Sequence, residues 1–183
     1  TGGESPAPTE AAATETTLPT AAPPVAADAT AAATLAAVQD RLLASGTCDD
    51  ACLAALRALW DAHPGDPALR VTLTNALIQR RDWSGIAAVV RALPRPSDAD
   101  QLLLAKALIK LGAFDEAADV LAPLVDARPD DADLAYNAAF ADYYGNRADQ
   151  AAAVLDRAWD ALSADGDANA MTLRAMIHLE AGE

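Results

Sequence analysis

Segments of this chain return at a period of about 34 residues, and that constrains its fold more than any other feature. Gly112–Leu124 reads GAFDEAADVLAPL, and one period later Asn146–Ala158 reads NRADQAAAVLDRA. Ala117 then coincides with Ala151, Val120 with Val154 and Leu121 with Leu155. Gly112 coincides with Asn146, and both tolerate the left-handed backbone that a helix-ending turn requires. A slightly shorter step back from Phe114 reaches Trp83, with Ile86, Val90 and Leu93 in the places of Ala117, Leu121 and Leu124. The shortening falls in the loop Pro94-Arg95-Pro96. A further full period back stand Cys52, Leu56 and Leu59, and Pro64 and Pro129 mark the same exit after a second helix. Such self-similarity marks an array of supersecondary units, each burying its apolar face against its neighbours.

Composition says what each unit is made of. Hydrophobic residues are 52% of the chain but aromatics only 4%. The difference is alanine, the best helix former. The β-branched and aromatic residues that suit strands are few. The periodicity predicts helices near 31–45 and 49–62, joined by Ser45-Gly46-Thr47. Further pairs are predicted near 67–80 and 83–93, 99–111 and 115–127, and 132–144 and 148–162, with a last helix near 168–181. Asp98-Ala99-Asp100 and Asp130-Asp131-Ala132-Asp133 read as helix starts, with acids at the positive end of the dipole. The second run lacks the spacing of a calcium loop.

A unit of two helices with Gly at the inner turn and Pro after the second helix resembles the tetratricopeptide repeat. The segment Asp98–Asp131 carries the resemblance best, through Leu104, Ala105, Leu108, Gly112, Ala117, Leu121 and Pro129. Ala135, Ala138 and Asp142 stand where the family has larger apolar residues, so the fourth unit should pack unusually. The resemblance implies an all-α, right-handed helical-hairpin solenoid over residues 31–183, with about four repeats and a final helix. That helix is either a cap or the first helix of a fifth unit. Met171, Leu173, Met176, Ile177 and Leu179 make it apolar for a cap, which should be polar outside.

Residues 1–30 hold five prolines, many threonines and alanines, four acids and no Lys or Arg. Such a stretch has little to bury and reads as an extended tail. It would span roughly 30 Å as a coil and about 90 Å fully extended. Thr1-Gly2-Gly3-Glu4-Ser5-Pro6 resembles the tether that follows the lipid-bearing cysteine of bacterial lipoproteins. The resemblance implies export, with the protein periplasmic, outer-membrane-anchored or extracellular, and an anchor upstream of Thr1. A trimmed interdomain linker is the alternative.

The net charge of −14 argues against nucleic acid and against an anionic membrane surface. No apolar run approaches the roughly 20 residues of a membrane span. Cys48 and Cys52 lie one helical turn apart, about 6 Å between Cα atoms, within disulfide range. They read as a disulfide in keeping with export, or as two free thiols with Cys52 a small core residue. Their spacing offers no haem or zinc site. His63 and His178 have no partner at motif spacing, and no phosphate loop, nucleophile elbow or HExxH occurs. The chain is therefore expected to be no enzyme, and to carry no cofactor and no metal. Trp60, Trp83 and Trp159 read as core between repeats.

In the tetratricopeptide family the first helix of each unit lines a concave groove that holds peptides or partner segments. Carried onto this chain, that face comprises Asn75, Ile78 and Gln79, then Leu102, Lys106, Ile109 and Lys110. It continues through Tyr136, Asn137, Phe140, Tyr143 and Tyr144 to Thr172 and Met176. Lys106 and Lys110 are the only lysines of an acidic chain, and aromatics crowd the next first helix. That combination suits an extended peptide with an acidic or backbone-rich face, with Asn137 on its backbone. The expected function is a non-catalytic protein-protein interaction scaffold acting outside the cytoplasm. The alternative is a structural or coating subunit of a larger surface assembly, using the tail and the terminal helix.

Overall fold

The computed structural model describes residues 34–40, 42, 46–164 and 168–181. The extended tail expected over residues 1–30, the turn residue Ser45 and the terminal Gly182-Glu183 lie outside these. Within them every regular element is a helix. Helix α1 covers 34–40, and α2 is Asp50–Ala62, α3 Pro67–Gln79, α4 Trp83–Arg91 and α5 Asp98–Leu111. They are followed by α6 (Phe114–Ala127), α7 (Ala132–Tyr144), α8 (Ala148–Arg157), α9 (Trp159–Ala164) and α10 (Ala168–Ala181).

The helix starts are written locally. Asp49, Asp66, Asp82 and Asp131 are N-caps whose carboxylates accept from the backbone N–H three residues on. Each satisfies a donor that the first turn leaves without a partner. Pro67 adds a fixed φ at the head of α3. Ser97 and Asp100 form a reciprocal capping box at α5, as the acid-rich start suggested. The ends of the first helices repeat one device. Arg81, Gly112 and Asn146 have φ of 55°, 76° and 61° and stand at the same place in three successive units. After each, the next N–H reaches back to a carbonyl of the last turn: Asp82 to Leu77 (2.9 Å), Ala113 to Leu108 (2.9 Å) and Arg147 to Asp142 (2.8 Å). This left-handed turn folds the second helix back onto the first.

The apolar residues form three successive clusters rather than one centre. The first joins α2, α3 and α4 through Leu56, Leu73, Leu77 and Ile86. The second runs from Val90 through Leu108 and Leu121 to Leu134 and Ala138. The third packs Ala135, Leu155 and Leu162 against Leu173 and Ile177 of α10. Each cluster is shared by neighbouring units, as a solenoid requires.

The fourth unit departs from expectation in one respect. Its second helix, expected as one piece over 148–162, is interrupted at Ala158 and continues as α9. The interruption coincides with Trp159, which is only half-buried and lies under the Arg174 guanidinium of α10, 4.0 Å from ring centroid to Cζ. Trp159 is therefore a cation–π partner at the rim rather than interior filling, whereas Trp60 is buried and Trp83 packs against the first cluster. The unusual packing expected of this unit concerns its small and acidic positions. Ala135, Ala138 and Asp142 are all buried, and Ala138, Asp142 and Arg147 line a recess of about 270 Å³ with residues of α6 and α8. Burial raises the Asp142 pKa above the usual carboxylate range, against the opposing pull of Arg147, whose Nε lies 3.5 Å away.

Candidate concave-groove site

The repeat register places one residue of each first helix opposite the next. Helices α3, α5, α7 and α10 begin at residues 67, 98, 132 and 168. Val71, Leu102, Tyr136 and Thr172 therefore share one register position. Asn75, Lys106, Phe140 and Met176 share a second, Ile78, Ile109, Tyr143 and Leu179 a third, and Gln79, Lys110, Tyr144 and Glu180 a fourth. Val71, Asn75, Ile78, Gln79, Lys110 and Tyr144 are exposed, and Leu102, Lys106, Ile109, Tyr136, Asn137, Phe140 and Tyr143 are half-buried. None is sealed into the core, so the face is open along its length.

At the α3 end, Asn75 and Gln79 line a recess of about 410 Å³ with Gln39, Leu42, Gly46, Thr72 and Ala76. The Gln39 amide donates to the Thr72 hydroxyl at 2.9 Å, which ties α1 to α3. In the middle, Lys106 is paired across to Asp133 of α7 at 2.7 Å. Lys110, one turn on, has no ion-pair partner among the described residues. The Asn137 amide, expected on a peptide backbone, donates to the Asp133 carbonyl (2.6 Å) and carboxylate (2.9 Å). Asp133 thus organises both polar groups that the sequence singled out here.

The aromatics of α7 form a stack with Phe114 at the start of α6. Phe140 and Tyr144 are 4.5 Å apart between centroids, Tyr144 and Phe114 5.4 Å, Phe140 and Phe114 6.3 Å, Tyr136 and Phe140 6.0 Å, and Tyr143 and Tyr144 5.2 Å. Offset and tilted rings at these separations attract beyond their area burial. The Tyr143 hydroxyl donates to Glu180 of α10 at 2.7 Å, and that bond raises its pKa.

Sequence reasoning passed over Val71, Leu179, Phe114, Asp133 and Glu180. The signal for Val71 and Leu179 was present, because each repeats the register of apolar residues already chosen. Val71 is 53% exposed and Leu179 76%. Phe114 sits on a second helix and reaches the face only through the tight turn at Gly112. The disulfide reading of the cysteines is the one the structure carries: Cys48 and Cys52 are joined, with Cα atoms 5.4 Å apart, around the Asp49 cap. Among the described residues no group of three or more His, Cys, Asp or Glu side chains could hold a metal ion. No helix among them is long and apolar enough to cross a membrane.

No protein-family model and no curated protein matches the sequence. Solved structures do match. A structure of MamA 41-end from Desulfovibrio magneticus RS-1 aligns with a TM-score of 0.57 at 19% identity, over 84% of this chain and 96% of that one. A MamA RS-1 ArsTM double mutant aligns with a TM-score of 0.56 at 17% identity, over 82% and 96%. MamA is a TPR-like helical-repeat protein, and with its tandem helical hairpins, left-handed inner turns and serial cores the present chain has that same TPR-like solenoid fold.

Proposed function

We propose that this chain is a non-catalytic protein-protein interaction scaffold that acts outside the cytoplasm and holds a partner protein or peptide in its concave groove. One observation carries the reading. In a chain of net charge −14, the groove positions of α3, α5 and α7 expose Val71, Ile78 and Tyr144 and carry a single acid, Asp133, which Lys106 neutralises. Large apolar side chains kept in water along one face, with a spare cation at Lys110, favour a docking surface over a solvated one. The Cys48–Cys52 disulfide supports an oxidising compartment. The likeness to MamA supports a scaffold through its fold.

The test is a pull-down of the intact protein from its native envelope with crosslinking and mass spectrometry, beside the variant Lys106→Glu/Tyr136→Ala/Phe140→Ala checked for helicity. A defined partner crosslinked through residues 102–144 and lost in the variant is the expected result. Unchanged binding with contacts on the tail and α10 overturns it in favour of a structural subunit. That second reading draws on Met171 and Leu179, exposed on α10 at 45% and 76%. It alone requires the protein to grow in size with concentration by light scattering.

A further inference from the structure

The groove reading leaves open what kind of chain lies in the groove, and the register of its apolar residues bears on that. Ile78, Ile109, Tyr143 and Leu179 occupy one position in the last turn of four successive first helices. Ile78 and Leu179 are exposed, and the two between them are half-buried. Helix α5 packs on α7, and α7 on α10, while the ion pair of Arg70 with Asp100 joins α3 to α5. Axes of packed helices lie about 8–10 Å apart, so the apolar residues recur along the solenoid at about that interval.

A polypeptide crossing these helices meets one apolar position every 8–10 Å or so, roughly the helix spacing. A β-strand advances about 3.3 Å per residue, so three residues fit the interval, but its side chains alternate faces and every third one points away. A polyproline II chain advances about 3.1 Å per residue with three residues per turn, so every third side chain lies on one face about 9.3 Å from the last. An α-helix matches only through every seventh residue, at about 10.5 Å. A helix, however, consumes its own backbone groups, whereas polyproline II leaves each N–H and C=O free. The α3 end of the groove offers the carboxamides of Asn75 and Gln79 beside Gln39, which suits a ligand with free backbone groups. The neighbouring register position sets a direction. It carries Lys110 on α5, the second of the four helices, and Glu180 on α10, the last, so an acidic residue is favoured beside α5 and disfavoured at the α10 end.

We infer that the groove takes an extended polyproline II segment with an apolar side chain at every third position and an acidic residue against Lys110. The inference rests on the groove reading and narrows it. The probe is a fluorescent Pro-rich peptide of about ten residues, enough for four contacts at this period, with leucine at every third position and one glutamate near its centre. Its control has the same composition with leucine at every second position. Fluorescence anisotropy with the full chain should give an affinity about tenfold higher for the first peptide. Leu179→Ser and Ile78→Ser change exposed residues and should each weaken it several-fold, as truncated anchors do. Lys110→Glu should weaken binding, and a lysine in place of the peptide's glutamate should restore it. Equal binding of the two peptides, or the circular-dichroism signal of a helix forming on binding, overturns the inference. If that happens while the envelope partner is still lost in the Tyr136/Phe140 variant, the groove reading stands and only the three-residue period falls. If both fail, the groove is not the docking surface.

Discussion

Single residues show how closely this chain runs to the limits of its backbone. Gly112 is free to adopt the left-handed turn, but Arg81 and Asn146 reach the same conformation with side chains. A left-handed residue with a Cβ costs roughly 1 kcal/mol, less for asparagine. Arg81→Gly should therefore stabilise the fold by about 0.5–1 kcal/mol, and Gly112→Ala should destabilise it by about 1 kcal/mol or more, as read from urea midpoints. The Asp142–Arg147 pair is a second local tension. Arg147 reaches Asp115, Asp119 and Asp142 and holds α6, α7 and α8 together. Arg147→Ala leaves Asp142 buried without its cation and should cost about 3 kcal/mol at neutral pH. Because burial holds the Asp142 pKa above its unfolded value, the folded state takes up the proton first. The loss should therefore shrink as pH falls through that raised pKa. Asp82 and Asp100 act in the opposite sense. The backbone N–H of Gly85 leads the groups that depress Asp82. At Asp100, burial pushes the pKa up but hydrogen bonds from Ser97 and the Arg70 charge outweigh it. Their stabilisation is present above the ordinary carboxylate pKa and disappears as pH falls through the depressed values.

At the scale of elements, caps and turns place the helices, and close approaches fix how they meet. Gly85 in the first turn of α4 is the clearest case. A Cβ there would sit 2.8 Å from Leu77 Cδ2 and 2.8 Å from the Asp82 carboxylate that caps the same helix. Helix propensity alone makes Gly85→Ala favourable by about 1 kcal/mol. The contact with buried Leu77 reverses the sign, and thermal unfolding should show a net loss of about 1–2 kcal/mol. The helix boundaries were legible beforehand because caps, inner turns and apolar periods are local signals. The break at Ala158 was not, since residues 148–162 read as one unbroken helix and the contact that accompanies the break comes from Arg174 on a later element.

Across the whole molecule, arginine and aspartate stitch the units. Arg57–Asp82, Arg70–Asp100, Arg80–Asp50, Arg91–Glu116, Arg157–Asp126 and Arg174–Asp156 each join different helices or their caps. Most of these pairs are exposed and contribute little individually. The excess of 27 acids over 13 bases is a larger effect of opposite sign. Salt screens both, over about 10 Å at 0.1 M. Raising sodium chloride from about 20 mM to about 300 mM should therefore raise the melting temperature. A fall would mean that the cross-links outweigh the self-repulsion.

The tandem hairpins, their turns and the helix starts follow from the sequence alone, because each depends on residues within one or two turns and recurs with the repeat. Register also fixes which side of a helix a residue occupies, so the sequence alone groups the residues that share the face proposed as the groove. The same register includes Val71 and Leu179, whose exposure only the structure gives. Tertiary structure alone decided the pairings. Asp133 pairs with Lys106 on another helix, Phe114 joins the aromatic stack from another helix, and Arg147 reaches Asp115 and Asp119 of α6. Each joins side chains on different turns or different helices, and the reach and rotamer of a long side chain are set by which neighbour's charge or ring lies within a few ångströms, a distance that periodicity does not encode.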